Sequence, residues 1–63
     1  MVSDKNEIMR MVATLEKHSS AWRTYTIKAG PKAVWTNSDS SVVRTAYSSQ
    51  ELERQLLEEE GRM

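Results

Sequence analysis

Sixty-three residues and 7.2 kDa allow one small domain. Nine basic and nine acidic side chains cancel to a net charge of zero, and the chain has no cysteine. These counts exclude disulfides and thiolate zinc, and the strong basic footprint of a nucleic-acid binder is missing. A chain this short buries only about 60% of its unfolded surface, so a partner subunit is the expected reinforcement.

The first element is a helix over about residues 4–20. Ser3 or Asp4 can cap it, and Glu7 follows Asp4 at the capping-box spacing. Ile8, Met11, Val12 and Leu15 recur at helical spacing, and His18 and Trp22 extend the same side. Met9 and Ala13 widen the apolar arc beyond what one small sheet would cover, which points to self-association. His18 reads as a helix-end residue favoured by the helix dipole.

Residues 22–46 form an extended segment. Trp22–Lys28 is rich in β-branched and aromatic residues and reads as a strand. Simple alternation puts Arg23, Tyr25 and Ile27 on one face, with Trp22, Thr24, Thr26 and Lys28 on the other. Ala29-Gly30-Pro31-Lys32 is a turn. Residues 33–36 read as a short second strand, 37–41 as a loop and 42–46 as a third strand.

The final element is a helix over about residues 49–60. Ser48 and Glu51 make an S-x-x-E capping box, Tyr47 and Leu52 have the spacing of a hydrophobic staple, and Gly61 reads as the stop. Leu52 and Leu56 share a face that Met63 extends, while Leu57 points off it. Glu58, Glu59 and Glu60 read as solvated, at the unfavourable end of the helix dipole.

Charge is unevenly placed. Residues 21–47 carry Arg23, Lys28, Lys32 and Arg44 against Asp39, whereas residues 48–63 are acidic. The simplest consequence is attraction between the two segments, within or between chains.

No constellation carries chemistry. A single His18 with scattered carboxylates makes neither a catalytic triad nor a zinc ligand set, and two distant glycines make no phosphate loop. We therefore expect a non-enzymatic protein without cofactor or metal. Asp4, Lys5, Asn6 and Glu7 stand where the apolar stretch of a signal peptide would begin, and no run approaches the ~20 apolar residues of a membrane span. A cytoplasmic protein that makes no membrane contact is the expectation.

The stretch Thr45-Ala46-Tyr47-Ser48-Ser49-Gln50-Glu51-Leu52 resembles the strand-to-helix junction of the phage lambda head–tail joining protein W family. The resemblance implies an α-β-β-α order and a small phage- or prophage-encoded accessory protein, working in the host cytoplasm. The chain departs from that family in its longer segment from Gly30 to Ser41 and in its acidic end.

Together these readings give an α+β domain spanning residues 1–63. Two helices flank a short strand or small hairpin, completed by dimerisation. Ile8, Met11, Val12, Leu15, Trp22, Leu52, Leu56 and Leu57 are the expected core and dimer interface. Met9, Arg23, Lys28, Lys32, Trp35 and Arg44 are the expected partner contacts. The favoured function is a homodimeric protein-interaction or regulatory protein. One alternative is nucleic-acid binding through the basic, aromatic middle segment, because aromatics on a basic sheet can stack bases. The other is a phage head–tail joining role.

Overall fold

The computed structural model describes residues 4–61. The order is α1 (Asp4–Lys17), a single 3-10 turn (Ser19–Ala21), β1 (Trp22–Lys28), β2 (Lys32–Asn37), β3 (Val43–Ala46) and α2 (Ser49–Gly61). The strands form an antiparallel meander in the order β1-β2-β3, so the fold is the expected α+β arrangement with a full three-stranded sheet.

The first helix is shorter than its pattern predicts. It ends at Lys17, and His18 carries the chain into the 3-10 turn, where the Ala21 N–H donates to the His18 carbonyl at 2.9 Å. Trp22 Nε1 donates to the Leu15 carbonyl in the last turn of α1, which also accepts from the His18 N–H at 3.2 Å. At the other end of the chain Gly61 does not stop α2 but lies in its last turn. The proposed Ser3 cap and the Met63 extension lie outside the described residues.

The second helix begins as its sequence requires. Ser48 Oγ accepts from the Glu51 N–H at 3.1 Å, and Glu51 Oε1 accepts from the Tyr47 N–H at 2.9 Å. The first contact satisfies a donor that a helix N-terminus leaves free, and the second ties the helix back to the residue before its cap. The staple does not cover Tyr47, which stays 62% exposed while Leu52 is fully buried.

The β1–β2 register is broken between Trp22 and Thr24. Arg23 is an extra residue there, and a bulge of this kind shifts strand parity by one. Trp22 therefore joins Tyr25 and Ile27 on one face, which corrects the alternation predicted for it. Its ring meets Tyr25 edge-on, with centroids 4.9 Å apart. Across the sheet the same face carries Ala33, Trp35 and Asn37 on β2, then Arg44 and Ala46 on β3.

That face is the covered one. Met11 and Leu15 from α1 and Leu52 and Leu56 from α2 pack with Ala21, Ala33, Trp35 and Ala46 into one core, with Trp22 and Ile27 against its side. Each large apolar side chain sealed in this way contributes roughly 1.5–3 kcal/mol. The helices run parallel, because Glu7 meets Ser49 at their N-terminal ends and His18 meets Glu60 at their C-terminal ends. No helix among the described residues is long and apolar enough to cross a membrane.

Candidate interaction surface

The sheet has two unequal faces. On the side away from the helices, cross-strand neighbours are Thr24, Thr36 and Val43 in one row and Thr26, Val34 and Thr45 in the next. Thr24, Thr26 and Val43 are exposed, and Val34, Thr36 and Thr45 are half-buried. β-branched side chains suit a pleated surface, which is why the segment folds as sheet although its outer face is left wet. The Thr24 and Thr36 hydroxyls hydrogen-bond at 2.9 Å, locking the bulged end of β1 to β2.

Lys28 and Lys32 face each other at the hairpin end of this open face. Gly30, at φ 79°, supplies the left-handed residue that the connecting turn requires. Two like charges directly opposite each other mildly disfavour the pair. Arg23 is exposed at the bulge. Of these three basic residues Arg23 and Lys28 are exposed and Lys32 is half-buried.

Trp35 does not stand there, which corrects its assignment as a partner contact. It is fully buried, and its Nε1 donates to Gln55 Oε1 at 2.9 Å. Parity is the cause: Trp35 shares its face with Ala33 and Ala46, directly beneath α2. Arg44 lies on the same covered face and is half-buried, with its guanidinium 3.4 Å from Glu59. The attraction between the basic middle and the acidic tail is thus realised inside the chain, and Arg44 is not a free basic contact.

The helical candidates divide in the same way. Met11, Leu15, Leu52 and Leu56 are buried within one chain, Ile8, Val12 and Trp22 are half-buried, and Leu57 is 52% exposed. The four buried residues are core, and a partner could reach them only by unfolding the domain. Met9 is 60% exposed and Ala13 is exposed, so the outer arc of α1 stays wet. Between the helices lies a shallow groove of about 310 Å³, lined by Arg10, Ala13, Thr14, Ser49, Gln50 and Glu53. Most of its lining residues are polar in type, but the surface they turn toward the groove is mainly apolar.

Two polar clusters were missed by sequence reasoning. At the C-terminal ends of the helices His18 is buried, and its Nδ1 donates to Glu60 Oε2 at 2.8 Å. Glu53 sits on the other side of the ring at 3.7 Å and also meets Lys17 at 3.3 Å. Glu59 is buried against Arg44. Of the three consecutive glutamates read as solvated, only Glu58 is exposed.

At the opposite ends Glu7 Oε2 accepts from the Ser49 N–H at 2.6 Å. This backbone contact, foremost among several, holds the Glu7 carboxyl below the usual carboxylate range. A carboxylate at the N-terminus of α2 also meets the positive end of that helix's dipole. The β2–β3 loop has its own organiser in Asn37. Asn37 Oδ1 accepts from the Ser41 and Val42 N–H groups at 3.0 and 3.2 Å. Asp39 accepts the Ser41 hydroxyl at 2.6 Å and its N–H at 3.0 Å, which lowers the Asp39 pKa. The one sequence signal for these contacts is charge and polarity in the right segments, which does not specify the pairs.

Among the described residues no group of three or more His, Cys, Asp or Glu side chains is arranged to hold a metal ion. No protein-family model, no curated protein and no solved structure matches the chain.

Proposed function

We propose that this chain is a small non-enzymatic interaction protein that works as a homodimer and engages a further protein. The observation that supports this reading most directly is the one-sided sheet. Both helices serve one face, and the other presents Thr24, Thr26, Val34, Thr36, Val43 and Thr45 to solvent. A β-branched face with Val43 66% exposed is a surface suited to burial against protein. The exposed Met9 and Leu57 add further apolar area on the helical side.

The nucleic-acid alternative loses its aromatic platform. Trp35 is inside the core and Trp22 is half-buried on the helix side of the sheet, which leaves Tyr25, 37% exposed on edge strand β1, as the one accessible ring of the three. Lys28, Lys32 and Arg23 are left as a short basic margin without stacking rings on the open face. Following the junction resemblance, we place the protein among phage-encoded accessory proteins acting in the host cytoplasm.

Sedimentation equilibrium across a hundredfold concentration range tests the dimer. A mass of twice the chain that falls toward one chain on dilution supports it. A single-chain mass at every concentration overturns it.

A further inference from the structure

We propose that two copies join edge to edge through β1, antiparallel and two-fold symmetric about Thr26, fusing two three-stranded sheets into one of six strands. This rests on the homodimer reading and names its surface.

β1 is an outer strand of the sheet and seven residues long, whereas the other edge, β3, has four. A long edge strand displays unpaired backbone donors and acceptors, and chains that must stay monomeric blunt such edges with prolines, charges or bulges. Here the bulge at Arg23 protects only the beginning of the strand. The stretch from Thr24 to Lys28 is regular, contains no proline, and has its one charge at the end.

The backbone direction is set by the ladder with β2. Thr24 turns its N–H toward β2, where it donates to Thr36 Oγ1 at 3.3 Å. Antiparallel strands send the polar groups of alternate residues to opposite sides. Thr26 therefore also faces β2, and the N–H and C=O groups of Tyr25 and Ile27 face outward. A second copy aligned about Thr26 meets that requirement: Tyr25 lies opposite the partner's Ile27, and the two exchange both main-chain hydrogen bonds.

The side chains select the same register. With Thr26 on the axis, all five regular residues find a partner on the same face. Tyr25, exposed on the edge strand, packs beside the partner's Ile27 on the helix side of the sheet, an aromatic–aliphatic pair of the kind that stabilises sheets. Thr24 faces the partner's Lys28, so no two lysines oppose each other. A slip of one residue puts covered-face side chains against open-face ones, which parity forbids. Centring on Tyr25 carries the pairing into the bulge. The interface is isologous, as a two-fold dimer requires.

The twofold axis makes a sharp test, because the chain has no cysteine of its own. Opposed residues at a non-hydrogen-bonded antiparallel position have Cα atoms about 4.5 Å apart, within disulfide range. Thr26 is exposed, so Thr26→Cys leaves the fold intact by circular dichroism and should oxidise to a covalent dimer under mild oxidant. Val43→Cys, also exposed but on β3, should stay uncrosslinked under the same conditions. Thr26→Lys places two ammonium groups face to face on the axis and should weaken the dimer about tenfold in sedimentation.

A wild-type dimer whose Thr26→Cys form fails to crosslink, or whose Thr26→Lys form associates unchanged, overturns the β1 interface while leaving the homodimer standing. A wild type that is monomeric throughout overturns both.

Discussion

The covered and open faces of the sheet are built from the same three strands, yet they obey different rules. On the covered face the side chains range from alanine to tryptophan and fit one another: Ala33 and Ala46 are small where α2 comes close, and Trp35 fills the centre. On the open face, apart from the Lys28–Lys32 pair at the hairpin end, the six positions are all threonine or valine, similar in size and interchangeable in shape. Close packing punishes any change of volume, whereas a solvated pleat asks only for a β-branched shape. Specificity of fold therefore lives on one face, and the other is free to serve a partner.

The largest test of that contrast is Trp35→Ala. It empties the middle of the core and strands Gln55 Oε1, and should cost about 3–5 kcal/mol, measured by urea denaturation. For a domain of this size that approaches the whole stability, so far-UV circular dichroism should show a largely unfolded chain at 37 °C. A folded Trp35→Ala variant would mean the covered face is no more selective than the open one.

Glu7→Gln probes how the helix layer is held over the covered face. The Glu7 carboxyl has a lowered pKa in the folded chain. Its contribution is therefore complete above the ordinary carboxylate range and is lost as pH falls through the lowered folded value. Wild type should melt a few degrees above Glu7→Gln at pH 7, with the gap closing in acid. A gap that is constant with pH would assign the effect to shape rather than charge.

The smallest effect belongs to the open face. Val43→Thr should change stability by less than about 0.5 kcal/mol in the same denaturation experiment. A larger loss would show that this face is already buried in the isolated protein, by a second copy lying flat against it.

Much of this architecture was legible in residues close together in the chain. The Ser48–Glu51 box starts α2 within one residue of its predicted start, and Gly30-Pro31 marks the first hairpin. The apolar period of α1 names Ile8, Met11, Val12 and Leu15, and the two that are buried, Met11 and Leu15, are among them. The interaction surface was less legible. Trp35 looked like an exposed aromatic beside basic residues, because sequence shows the composition of a strand without saying which side the helices take. Arg23 was read as one more alternating position, and only pairing with β2 reveals it as the bulge that rotates Trp22 into the covered face.

The sequence by itself determined the two helices, the extended segments between them, their order and the Ser48 cap of α2, because these depend on contacts within a few residues. It also determined that the core would be small, since length and composition bound the area a chain can bury. The tertiary structure alone decided which sheet face is closed, which charges meet, and that His18 and Glu59 are inside. Those outcomes depend on pairs such as His18 with Glu60 and Arg44 with Glu59, which sequence pattern does not join. They become fixed only when α2 folds back alongside α1 and over the sheet.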